Sequence, residues 1–215
     1  MLAARTGGLG RPGGAAVTPT RALGNVVLGL TVAGALIGGL WAWIAPPIHG
    51  VVALTHTGER VHDYLGNESG HFFDAPCLML GLLTFVAIVA PVLVWQWRES
   101  RGPGMVIGLV IGLVTGAAAA AAVGAALVHL RYGALNFDAI PLSADHKLAY
   151  VVEAPPVFFS HAWLPAAATL MWPAGIAALV YAVIAAGSAH DDLGSRPSVD
   201  EPSNTLPIEP EASVP

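Results

Sequence analysis

The stretch GMVIGLVIGLVTGAAAAAAVGAALVHL, residues 104–130, contains no Asp, Glu, Lys or Arg. A helix rises about 1.5 Å per residue, so this stretch outruns the roughly 30 Å of bilayer hydrocarbon that about 20 apolar residues span. Small residues recur at every fourth position: Gly104, Gly108, Gly112 and Gly116, then Ala120 and Gly124. On a helix these positions form one ridge. In lipid no water is expelled when helices meet, and a ridge of small side chains lets two backbones approach closely. Gly34 and Gly38 repeat the spacing upstream. The ridge therefore predicts close helix packing, either within the bundle of one chain or as a homo-oligomer contact through this helix.

Working outward, residues 22–58, 75–97 and 154–190 are equally free of formal charge. With the first window they cover more than half of the 215 residues. The whole chain is 55% hydrophobic and 11% charged, against about 25% charged in an ordinary soluble domain. The fold class predicted is an all-α membrane protein with four transmembrane helices, at residues 23–44, 75–97, 104–130 and 161–187. They form one domain over residues 22–188. Pro76 is expected in the first turn of the second helix, where a missing N–H costs little. Pro91 and Pro173 fall inside helices and predict kinks.

Residues 1–21 hold Arg5, Arg11 and Arg21 without an apolar period and read as a disordered basic arm. Residues 189–215 are acidic and proline-rich and read as a disordered tail. Lys and Arg beside the spans set orientation. The arm, the turn with Arg98 and Arg101, and the tail with Arg196 fall on one side; Arg60, Arg131 and Lys147 fall on the other. The bias predicts that both termini are cytoplasmic, and a single lysine, Lys147, beside abundant Ala, Gly and Val suggests a GC-rich bacterial genome and so a bacterial plasma-membrane protein.

Two outer loops of about thirty residues follow, at residues 45–74 and 131–160. β-Branched runs at residues 51–55 and 60–64 flank a turn containing Gly58 and predict a hairpin; residues 148–152 predict another strand. A hairpin alone is marginal in water, so these strands require one another or a partner.

Net charge is −5 and no basic patch is present, which argues against a nucleic-acid partner. The lone Cys77 has no intrachain partner. The absence of Asp, Glu, Lys and Arg from the spans argues against an ion-coupled transporter, which needs charge near the midplane.

One histidine falls near the outer end of each helix: His49, His71, His129 and His161. Four neutral imidazoles at one level suit zinc, copper or haem iron, with the outer acids Glu59, Asp63, Glu68, Asp74, Asp138, Asp145 and Glu153 as further ligands or orienting partners. No His-x-x-x-His or Cys-x-x-Cys spacing accompanies them, so the expected state is no cofactor, with metal or haem as the alternative. His62-Asp63, or His71 with Asp74, would serve as acid–base pairs, yet neither a Gly-x-Ser-x-Gly turn nor a His-Glu-x-x-His helix is present. Aromatic residues at the outer ends and in the loops are the candidate partner contacts: Trp41, Trp43, Tyr64, Phe72, Phe73, Phe158 and Phe159.

Several pieces carry a family resemblance. They are Leu40-Trp41-Ala42-Trp43-Ile44-Ala45-Pro46-Pro47, Val61-His62-Asp63-Tyr64-Leu65-Gly66, Val94-Trp95-Gln96-Trp97-Arg98, Arg101-Gly102-Pro103-Gly104 and Glu153-Ala154-Pro155-Pro156-Val157-Phe158-Phe159. They resemble an uncharacterised group of actinobacterial, mainly mycobacterial, integral membrane proteins carrying a domain of unknown function. The resemblance covers about residues 22–193. It implies a multi-pass fold and a bacterial source, and it transfers no activity or catalytic residue. The functional expectation is a non-catalytic accessory or scaffold of the cell envelope that meets an envelope protein or lipid through its outer loops. A metal- or haem-binding protein and a small oligomeric transporter or channel are the alternatives.

Overall fold

The computed structural model describes residues 19–97, 103–143, 146–160 and 162–188. Among them, four helices are long and apolar enough to cross a membrane: α1 (Pro19–Ile44), α2 (His71–Trp95), α3 (Pro103–Tyr132) and α4 (Trp163–Ala186). The basic arm up to residue 18, the turn with Arg98 and Arg101, the acidic tail and His161 lie outside the described residues.

Two helix starts lie about four residues ahead of expectation. Helix α1 begins at Pro19, so the last three residues of the expected arm are helical; proline suits a first helical position. Helix α2 begins at His71, not at residue 75, because a 3-10 turn at Glu68–Gly70 runs straight into it. Pro76 therefore lies beyond the first turn, and its missing N–H leaves the Phe72 carbonyl without its helical donor.

The two long loops fold onto the same end of the bundle. Strands β1 (Ile48–Leu54), β2 (Arg60–Tyr64) and β3 (Leu148–Glu153) form one antiparallel sheet in the order β2-β1-β3. Val52 stands opposite His62 on one side and Ala149 on the other. The β1–β2 turn closes with Thr55 N–H donating to Glu59 O at 2.9 Å, and Gly58 takes φ +84°. That conformation is the one a short hairpin loop asks of glycine.

The most extensive helix pairing is between α1 and α3, which run in the same direction. A Cβ on Gly34 would strike the Gly116 carbonyl oxygen, and one on Gly38 would strike that of Ala120. A Cβ on Gly112 would lie 2.7 Å from Leu30 Cδ1, and one on Gly124 2.9 Å from the Trp41 ring. The partners advance together along both helices, as parallel packing requires. The glycine ridge of α3 is thus occupied by α1 of the same chain. Gly104, at the foot of the ridge, meets nothing within 4 Å.

Trp41, Met79, Leu83, Ala117 and Ala120 form the core nearest the sheet; Ala87, Leu113 and Ala177 form the middle; Val26, Val94, Leu109 and Tyr181 form the far end. The bundle's exterior is apolar as well, with Leu28, Leu36, Phe85, Leu179 and Val183 all exposed. Hydroxyls within the helices are satisfied locally. Thr84 and Thr169 donate to the carbonyls of Leu80 and Pro165, one turn back, and the Thr31 and Thr115 hydroxyls lie within hydrogen-bond reach of the carbonyls of Val27 and Ile111 as well as of each other, one of the two donating across. Three of them also link helices: Thr31 and Thr115 hydroxyls lie 2.9 Å apart, and Trp172 Nε1 donates to Thr84 Oγ1 at 3.0 Å.

Candidate functional site at the sheet end of the bundle

Residues directly opposite in an antiparallel sheet share a face. One face carries Ile48, Val52, His62, Tyr64 and Glu153. It is covered by the residue 133–143 segment and the start of α2. His62 stacks on Phe137 with ring centroids 4.9 Å apart, and Tyr64 meets Phe72 edge-on at 5.2 Å. Arg60 Nη1 donates to the carbonyls of Phe137 and Ile140 at 3.0 and 2.9 Å. Ile48 and Val52 are buried beneath this layer. The other face is open and mostly apolar: Val61, Leu148 and Val152 are exposed there and Tyr150 is 74% exposed, with Asp63 and His49 as its polar members.

A second cluster ties β1 to α2. Glu68 Oε2 accepts from the His49 backbone N–H at 3.0 Å and lies 3.0 Å from His49 Nδ1 and 3.1 Å from His71 Nδ1. His71 Nδ1 is also 2.9 Å from Pro47 O. A carboxylate and a carbonyl only accept, so both Nδ1 atoms carry a proton and the lone pair of each neutral ring is on Nε2. These bonds hold the Glu68 carboxyl below its usual value, the His49 side-chain bond first and the His49 backbone bond second. A carboxyl lowered by folding stabilises fully above its unfolded value and loses that contribution as pH falls through its folded value. Glu68→Gln is therefore expected to flatten the acid limb of thermal stability below the usual carboxyl value of 4.5. Melting temperatures taken across the acid range check this; an unchanged acid limb would contradict it.

Two of the four expected histidines, His49 and His71, are thus brought together, and the residue joining them is Glu68. Its signal was its position one helical turn ahead of His71. His129 stands apart from this pair and lines a groove. Among the described residues, no group of three or more His, Cys, Asp and Glu side chains is arranged to hold a metal ion. Tyr64 is raised from its ordinary value by burial first and by the Glu153 carboxylate second. Among the described residues, Glu153 Oε2 is buried without a hydrogen-bond partner.

The groove encloses about 470 Å³ and opens to the exterior. Its walls are the end of α3 with Ala125, Val128 and His129, the Ala154-Pro155-Pro156-Val157-Phe158 segment, and Ala166 in the first turns of α4.

The candidate contact aromatics divide. Trp41 is fully buried and donates from Nε1 to Ala75 O at 2.8 Å. It is a core residue and is removed from the contact set; the inward turn of α1 against Gly124 and Met79 takes it out of reach. Trp43, two residues on, is 77% exposed. Phe73 and Phe159 are exposed and pack together with centroids 5.5 Å apart, joining the two loops. Tyr64 and Phe72 are half-buried against each other, and Phe158 lines the groove.

The chain is 72% identical over 176 residues to an uncharacterised protein of Mycobacterium leprae, ML1222, covering 82% of this chain and 89% of that protein. It is 65% identical over 179 residues to an uncharacterised protein of Mycobacterium tuberculosis H37Rv, Rv1591, covering 83% and 93%. No solved structure matches it. The model of a family described as "Protein of unknown function (DUF2567)" matches residues 30–195. That range takes in the sheet, the groove, the Glu68 cluster and all but the first turns of α1, and the chain belongs to this family, which has mycobacterial members.

Proposed function

We propose that the protein is a multi-pass plasma-membrane protein whose four apolar helices cross the bilayer. Both termini are cytoplasmic and the three-stranded sheet stands at the outer surface. The Lys and Arg bias recorded above supports this orientation. The apolar exterior of the bundle supports the membrane setting, because a surface carrying Leu28, Leu36, Phe85, Leu179 and Val183 far exceeds the patches that a soluble monomer tolerates.

In this setting the protein acts as a non-catalytic accessory or scaffold of the cell envelope. The observation that carries this reading is the sheet itself. Its central strand pairs with one strand from its own loop and one from a loop about a hundred residues away. The result is a preformed platform whose open face joins exposed Val61, Leu148, Tyr150 and Val152 with the carboxylate of Asp63. A contiguous apolar face beside water is a recognition surface, and a rigid one loses less conformational entropy on binding.

A photo-crosslinking amino acid at Tyr150 is expected to capture a discrete envelope partner in intact bacteria. Leu148→Asp, on the same face, is expected to abolish that capture while the protein remains in the membrane. Absence of any specific product ends the scaffold reading. Orientation is tested separately with Thr57→Cys in a Cys77→Ser background. A membrane-impermeant maleimide is expected to label it in intact spheroplasts. Labelling only after lysis would invert the topology.

A further inference from the structure

We propose that the groove between the end of α3, the residue 154–158 segment and the start of α4 holds the acyl chain of an anionic lipid of the outer leaflet, with its headgroup at His129. The inference rests on the membrane reading above and names one ligand for it.

The groove has the volume of a ligand site, inside the range of about 300–1,000 Å³ typical of small-molecule pockets. Among the described residues its lining is mostly apolar, with His129 and Ser160 as the polar exceptions. Its width comes from two small side chains facing each other across helices, Ala125 on α3 and Ala166 on α4. Its third wall is stiff: Pro155 and Pro156 restrict that segment, and Val157 anchors it in the core beside Trp41 and Met79. The groove is therefore preformed.

Its depth in the bilayer points to a lipid. His129 is three residues from the end of α3, and Ala166 is the fourth residue of α4. Exposed Leu130 and Trp163 flank these positions, and tryptophan favours the headgroup level. A groove at that level, open to the exterior, is entered sideways from the leaflet. The acyl chain lies against Ala125, Phe158 and Ala166, and the headgroup comes to the end of α3.

Charge selects the headgroup. His129 and Arg131 are the basic residues of the last turn of α3, and Arg131 keeps its charge at every physiological pH. Among the described residues, the His129 side chain makes no hydrogen bond within the protein. Glu153, the acid next to the groove segment in sequence, interacts with Tyr64 on the sheet.

The test uses the full chain in nanodiscs with phosphatidylglycerol bearing a diazirine in its acyl chain, and with phosphatidylcholine bearing the same group. Adducts are mapped by mass spectrometry. Labelling is expected to concentrate on residues 125–129 and 154–166, above that of the lipid-facing Leu36 and Phe85. Ala125→Trp fills the groove and is expected to lower that labelling about tenfold. Ala166→Trp is expected to do the same from the opposite wall, which guards against a fold defect peculiar to one variant. His129→Gln combined with Arg131→Gln is expected to erase the preference for phosphatidylglycerol while acyl labelling persists. Groove labelling no higher than at Leu36, or unchanged in both tryptophan variants, overturns the inference. Equal labelling by both lipids in the unaltered protein overturns the headgroup assignment. Loss of labelling at Leu36 and Phe85 too overturns the membrane reading and this inference with it.

Discussion

Gly34→Leu is expected to cost about 3 kcal/mol or more of stability, at the upper end of single-site effects. The reason is what a side chain there would meet. Its first carbon would run into the Gly116 carbonyl on α3, which is backbone and cannot rotate away. Gly38→Leu meets the Ala120 carbonyl and should behave alike. Both variants force α1 and α3 apart along their whole contact. Gly39→Leu, one residue on, is the control. Nothing lies within 4 Å of that position, so its effect should stay within about 0.5 kcal/mol. The hydrogen bond that links the same two helices is a smaller contributor. Thr31→Val removes the 2.9 Å contact to Thr115, and interhelical bonds of this kind in membranes average about 0.6 kcal/mol. Packing therefore outweighs hydrogen bonding in joining α1 to α3. Denaturation in mixed micelles, followed by circular dichroism, gives the ranking directly. Equal stability for the Gly34 and Gly39 variants would refute the close approach of the two backbones.

Trp41→Ala is expected to cost about 3–5 kcal/mol, the range for deleting a large buried aromatic. Trp41 is fully buried, its ring fills the space left by Gly124, and its Nε1 donates to a carbonyl of α2. One side chain of α1 therefore contacts both α2 and α3. Trp41→Phe removes the Nε1 donor while the Ala75 carbonyl, inside α2, keeps its helical N–H donor, so the lost hydrogen bond is expected to cost about 0.5–1.5 kcal/mol. Trp43→Ala, at a position 77% exposed, should leave stability nearly unchanged. The same denaturation experiment separates the three variants. A Trp41→Ala protein as stable as Trp43→Ala would show that the residue is not in the core.

These two tryptophans show where sequence reading stops. They stand two residues apart in one apolar helix, about 200° around its axis. Nothing local distinguishes the one that faces the core from the one that faces outward, because the whole helix is apolar. The glycine ridge had the same ambiguity. Residues four apart on one face predict a close helix neighbour, and that neighbour is equally well a second chain or another helix of the same chain. In the folded chain, matching rows on α1 and α3 meet each other. The histidines were legible only as a group at one end. That His49 and His71 share Glu68, while His129 lies apart in a groove, follows from the path of two loops between residues distant in sequence.

The helices and strands themselves were readable. Apolar length is a sum of residue-by-residue transfer terms and β-branched alternation is a local pattern, so four long apolar helices and three strands follow from composition in short windows. Which strand lies in the middle, which glycine row meets which backbone, which tryptophan is buried and where a groove opens are pairwise outcomes between segments up to a hundred residues apart. They depend on shape complementarity that no single window contains, and the folded chain alone decides them.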